Sequence, residues 1–209
     1  MGTVLYIEAS PRKDRSHSSS VARAFLEAYR LSHAEDRVET LDLWATDLPA
    51  FDGTMLEAKY RILHGETHTP EEAQAWERVT SMFRTFQSAD IYVFSVPMWN
   101  FGIPYRLKHY IDIITQPGLA FRFSPDTGYQ GLVTGKPAIV IYASGGTYGE
   151  GSGTESFDMQ KPYMKLWLTF IGFTTIHSLV VEGTLLGPEA RAKSLEHAIT
   201  QAKQLAATM

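Results

Sequence analysis

The sequence predicts an open α/β fold: one domain over residues 1–209, with a parallel five-stranded sheet of order 2-1-3-4-5 between two helical layers, a three-layer sandwich. Three observations lead there. Strand-like apolar runs alternate with helix-length amphipathic segments five times, with no linker, repeat or low-complexity tract; such alternation implies parallel strands joined by right-handed helical crossovers. The central apolar run is near-continuous, as a strand buried on both faces requires. Finally, the loops richest in chemistry follow the first, third and fourth strands, which this order places side by side, with its switch point between the first and third.

Each element has its own justification. Val4–Ile7 reads as the first strand, ending in Glu8-Ala9-Ser10-Pro11 and a polar loop. From Val21 the pattern turns helical, with Val21, Ala22, Phe25, Leu26 and Tyr29 on one face. Arg37–Leu43 alternates as the second strand; Asp47–Gly53 carries turn chemistry, and residues 54–69 read as an irregular or weakly helical connection. Thr69-Pro70-Glu71-Glu72 opens a helix with a cap, a first-turn proline and acids at the positive dipole end. Ile91–Val96 is the third strand, closed by Pro97, which has no N–H for a ladder. Ile103-Pro104 opens a helix with Leu107, Tyr110, Ile111 and Ile114 inward, and Gln116-Pro117-Gly118 stops it. Residues 120–136 read as a small β-excursion before the fourth strand, Pro137–Tyr142. Tyr163, Leu166, Trp167, Phe170 and Ile171 make a helical face stopped at Gly172, Ile176–Val181 is the fifth strand, and Gly187-Pro188-Glu189 starts a last helix running to about Leu205.

The loops carry the candidate chemistry. Ser10 and the cluster Ser16, Ser18, Ser19 and Ser20 precede a helix, whose unpaired N–H groups and positive dipole end suit a phosphate; Arg12, Lys13 and Arg15 would add charge. Pro97-Met98-Trp99-Asn100-Phe101 offers large apolar groups and an amide beyond a strand's carboxyl end, and Ala143-Ser144-Gly145-Gly146 allows close backbone approach to a flat ligand. Taken one at a time, these are a helix cap, a core plug and a flexible loop. Converging on one crevice, they fit a phosphorylated planar cofactor, FMN foremost.

Other chemistries are disfavoured. Gly131 to Lys136 is one residue short of a phosphate-binding P-loop and has Pro137 where Ser or Thr is required; G-x-S-x-G and G-x-G-x-x-G are both missing. Ser152 has no evident triad partners, and His17, His109 and His177 read as structural or surface groups rather than acids or bases. His64 and His68 have helical metal spacing, but Gly65 and Pro70 break the face, so no metal is expected. With no cysteine there is no thiol nucleophile, disulfide or Cys-based metal site, and redox chemistry must come from a bound cofactor. Lys plus Arg number 19 against 23 acids, a net charge of −4, which does not suit nucleic acid. The amino-terminal stretch lacks signal-peptide and myristoylation features and no apolar run spans a bilayer, so a cytoplasmic location is expected.

Ser10, Ser16-x-Ser18, Pro97-Met98-Trp99-Asn100-Phe101, Gly131 to Lys136, Pro162-Tyr163 and Phe170-Ile171-Gly172 together resemble, nearly end to end, the FMN-dependent NADH:quinone oxidoreductases known as azoreductases, within the flavodoxin-like NAD(P)H:quinone reductase superfamily. The resemblance implies ping-pong transfer of hydride from NADH or NADPH through flavin N5 to quinones and azo compounds; the alternative is a flavodoxin-like electron carrier without NAD(P)H turnover. It implies that Ser10, Ser16 and Ser18 hold the FMN phosphate, with His17 beside them. Met98 to Phe101, after Pro97, would meet the ring, and Gly145 and Gly146, after Ser144, its polar edge. It further implies a homodimer with each site near the subunit boundary, and Phe121 and Phe170 in the substrate cavity. The chain departs from the family pattern at Ala143-Ser144, where many members have Ser-Arg, and at Trp99, where Tyr is commoner.

Overall fold

The structure, a computed structural model, describes residues 1–209. Its strands are β1 (Thr3–Glu8), β2 (Arg37–Asp42), β3 (Ile91–Pro97), β4 (Phe121–Ser124), β5 (Gly128–Gly131), β6 (Pro137–Ala143) and β7 (Thr175–Val181). Its helices are α1 (His17–Ser32), α2 (Gly53–His64), α3 (Pro70–Gln87), α4 (Tyr105–Ile114), α5 (Gln160–Ile171) and α6 (Pro188–Ala206). The main sheet is parallel with order β2-β1-β3-β6-β7, which is the expected 2-1-3-4-5 once the hairpin β4–β5 is set aside.

The sheet separates two cores. Tyr92, Phe94 and Val96 of β3 face the larger, which α3, α4 and α5 cover; Val93 faces the smaller, beneath α1 and α6. Each fully buried large side chain contributes about 1.5–3 kcal/mol. A one-residue slip of β3 would exchange its two faces, so burial fixes the register. No helix is long and apolar enough to cross a membrane.

One expectation is corrected. Residues 53–64, read as irregular or weakly helical, form the regular helix α2. Asp52 caps it by accepting from Met55 N at 3.2 Å, and Gly65, at φ 71°, ends it in the left-handed conformation. Only Met55 and Ala58 are buried, while Leu56, Tyr60 and Leu63 face outward, so the apolar periodicity is blurred. Helix α3 begins as expected, with a reciprocal capping box between Thr69 and Glu72. Glu72 also binds Arg61 at 2.9 Å, tying α3 to α2.

The hairpin is held where backbone meets backbone. A Cβ on Gly131 would lie 2.3 Å from Gly172 N and Ile171 C, and Val133 N donates to Ile171 O at 2.9 Å. This contact explains why the Gly131 and Gly172 motifs occur together: the excursion is fastened to the end of α5.

Candidate active site

The carboxyl ends of β1, β3 and β6 lie adjacent and open into one cleft. On its first wall, Ser10, Ser16 and Ser18 are buried, and Ser18 is wholly inaccessible. Ser16 caps α1, its hydroxyl accepting from Ser19 N at 3.3 Å and lying 3.2 Å from the Ser18 hydroxyl. The first two helical N–H groups, of His17 and Ser18, have no acceptor in the chain. Hydroxyls and open amides at a helix start can receive an oxyanion. Beneath them the hydroxyls of Tyr6 and Ser95 lie 3.0 Å apart; burial pushes the Tyr6 phenol up to about 12, so it stays protonated.

The expected cations separate. Arg12 and His17 line a cradle of about 180 Å³ with Ser10 and Ser16, but Lys13 turns away, pairing with Glu8 at 2.9 Å and Asp42 at 2.5 Å. Lys13 also adopts φ 50°, and Arg15 is exposed outside the cradle. Burial lowers the His17 pKa, as do the charges of Arg12 and Arg191.

The second wall is a strained turn. Trp99 and Gly102 exchange backbone hydrogen bonds of 3.0 and 2.9 Å, forming a two-residue turn with Asn100 at φ 46° and Phe101 at φ 69°. Asn tolerates that region; Phe does so only under strain. The turn leaves the N–H groups of Asn100 and Phe101 without partners in the chain. Trp99 rests on Trp44, with centroids 5.6 Å apart, and Trp44 donates to Ala9 O at 3.0 Å, linking the second wall to the first. Tyr105 completes this aromatic group, edge-on to Trp44 at 5.4 Å.

The third wall is the glycine loop. Its carbonyls are occupied: Gly145 O accepts from Leu185 N, Gly146 O from Gly183 N and the Ser144 hydroxyl, and Ser144 O from Thr184. Its donors at Gly145, Gly146 and Thr147 are open. A Cβ on Gly145 would meet the end of the exposed Leu185 side chain at 2.7 Å, so a larger residue there would push Leu185 aside.

The cradle thus brings together Ser10, Ser16, His17, Pro97, Met98, Trp99, Ser144 and Gly145. Ser18 sits behind Ser16, and Phe101 and Gly146 flank the cradle without lining it. Trp99 and Asn100 also line an adjoining apolar groove of about 1120 Å³, with Met159, Tyr163 and Leu166 on its far side. Phe121 and Phe170 meet each other at 4.8 Å, with Tyr129 beside them, but line neither cavity. His109 bonds to Pro49 O at 2.8 Å, and His68 to Ala58 O at 2.8 Å. Trp44, Thr184 and Leu185 were not foreseen; the signal for Trp44 was its place beyond the second strand, next to the first.

Topology and cleft define a flavodoxin-like protein, and the sequence pattern of the family described as Flavodoxin-like fold matches residues 2–206. The chain is 52% identical over 206 residues to the FMN-dependent NADH:quinone oxidoreductase of Desulfotalea psychrophila, covering 99% of this chain and 97% of that one. It is 43% identical over 208 residues to FMN-dependent NADH:quinone oxidoreductase 3 of Pseudomonas fluorescens, covering 99% and 96%. Among solved structures it resembles the FMN-dependent NADH-azoreductase of Bacillus anthracis strain Ames Ancestor in complex with FMN, with TM-score 0.86, 30% identity and coverage of 99% and 100%. The chain belongs to the family of FMN-dependent NADH:quinone oxidoreductases.

Proposed function

We infer that this chain is an FMN-dependent oxidoreductase that takes reducing equivalents from NADH and delivers them to quinones, and that it also reduces azo compounds. The observation that carries the reading is a cleft with a phosphate-sized donor set at one end and an aromatic platform at the other, in a chain 52% identical to a relative of that name. The residues present fit FMN. Buried hydroxyls with unpaired amides suit its phosphate, and open backbone donors facing an apolar turn suit a planar ring with a polar edge.

When bound, FMN supplies the redox chemistry, as a cofactor of its kind does. The protein's part is binding and orientation. Ser10, Ser16, His17 and Ser18 would hold the phosphate, with Arg12 compensating its charge. Met98, Trp99, Asn100 and Phe101 would bear on the ring after Pro97 ends the strand, while Ser144, Gly145 and Gly146 would bring amide donors to its edge. No side chain is assigned as an acid or base.

We further propose that the whole chain acts as one domain and that a second copy closes the site. The apolar groove beside Trp99 has exposed Leu166, Met159 and Tyr105 on or near it, and the Phe121–Phe170 aromatic group packs on the core from one side with exposed Tyr129 and Phe123 beside it. Both are accounted for if each copy covers the other's groove and brings Phe121 and Phe170 toward its substrate. A single test addresses the enzyme reading: the purified chain should show a flavin absorption spectrum that NADH bleaches without oxygen, and should consume NADH steadily with a soluble benzoquinone. Flavin without NADH turnover would leave an electron carrier instead.

A further inference from the structure

A buried polar chain joins two of the cleft's walls without touching the cleft. It starts at Gln160, only 1% exposed, which donates to Val96 O at 2.9 Å, at the end of β3. Asp158 Oδ1 accepts from Gln160 N at 2.9 Å and Lys161 N at 3.0 Å. Lys161 Nζ then bridges Asp158 Oδ2 at 2.8 Å and Glu182 Oε1 at 2.6 Å. Glu182 Oε2 accepts from Tyr148 N at 3.2 Å, on the glycine loop. A second tie runs alongside: Met159 N donates to Phe101 O at 3.0 Å, and Phe101 packs on Phe157 at 5.5 Å.

The two carboxylates are 5% and 18% exposed, so without the ammonium they would face each other with little water to screen them. Removing one member of such a group costs far more than the intact group contributes, and relief comes by moving the carboxylates apart. Asp158 is fixed at the start of α5 and the Glu182 main chain by its N–H bond to the Ser194 hydroxyl at 3.0 Å, so the Glu182 side chain and the Tyr148 N–H it accepts from are what can move. Burial lowers the Lys161 pKa, but its hydrogen bonds to Asp158 and Glu182 outweigh this and raise it, keeping the bridge charged at neutral pH.

We propose that Lys161 is a positioning residue: by bridging Asp158 and Glu182 it sets the spacing between the Trp99–Gly102 turn and the Gly145–Tyr148 loop, the two walls that would flank a flavin ring. The proposal rests on the FMN reading. Lys161, Asp158 and Glu182 line neither cavity, so they act only through the loops they hold.

The test uses the full chain, stripped of flavin and titrated with FMN and with riboflavin, which lacks the phosphate. Lys161→Met should raise both dissociation constants by the same factor, about two- to thirtyfold as for residues coupled to a site they do not touch, and change the visible circular dichroism of bound FMN. Lys161→Arg should restore both. Should Lys161→Met fail to fold, Glu182→Gln keeps the shape and one acceptor and should give a smaller parallel rise. Unchanged affinities and dichroism with only a lower melting temperature would overturn the proposal, and so would a loss confined to FMN, which would place the effect at the phosphate. A wild-type chain that bound no flavin would overturn the FMN reading and this proposal together; normal wild-type binding with unaltered variants would overturn this proposal alone.

Discussion

At the scale of single residues, Phe101 is the clearest case of conformation set against composition. A left-handed backbone costs a non-glycine residue about 1–2 kcal/mol, and φ 69° at Phe101 is held by the Met159 hydrogen bond and by Phe157. Phe101→Ala loses the ring and keeps the strain; Phe101→Gly loses the ring and the strain together. In urea denaturation the glycine variant should therefore be the more stable by about 1 kcal/mol, although neither should hold flavin as wild type does. His17 gives a pH signature. Its folded pKa is lowered by burial, then by Arg12 and Arg191, so its contribution to stability is fully present above the ordinary imidazole value and is lost as pH falls through the folded one. The melting temperature of the flavin-free chain should fall as pH drops below the ordinary imidazole value, and less steeply in His17→Gln. Sequence made much of this scale legible, since hydroxyls at a helix start and a Trp–Asn turn after a buried strand announce themselves by type. It could not show that Lys13 is turned away by Glu8 and Asp42, because that pairing joins the ends of two strands to a loop and depends on their adjacency.

At the scale of elements, period and capping were enough where a helix buries a full face, as in α3 and α4. They were not enough for α2, whose outward Leu56, Tyr60 and Leu63 erase the contrast that marks a helix. The hairpin was legible as β-structure but not in its attachment, because backbone contact between Gly131 and Gly172 leaves only two glycines as its trace. Gly131→Ala should destabilise by at least the roughly 1–3 kcal/mol of an overpacked core, since the atoms in the way are main chain and cannot rotate aside. A lowered urea midpoint with α3 and α4 still helical by circular dichroism would show the effect to be local.

At the scale of the molecule, strand order does most to assemble the site, because it turns loops separated by more than a hundred residues into neighbours. The parallel sheet was readable from the alternation of elements, and the order from the loops after the first, third and fourth strands, which only make one site if those strands are neighbours. The apolar groove was not readable, as its lining comes from parts of the chain with no local motif in common, and a second copy at the site was implied by the family resemblance alone. Leu166 is 69% exposed at that groove. Leu166→Arg should leave the fold within about 0.5 kcal/mol of wild type, as surface changes do, while sedimentation shows single chains where wild type shows pairs. Wild type sedimenting as single chains would remove the second copy from the proposed site.

The glycine loop has its carbonyls bonded inward and its amides open, and the turn and the helix start also present open amides. The cleft therefore speaks in one polarity. The open main-chain groups on all three walls are donors, so what they select is a ligand that carries its acceptors at its edges.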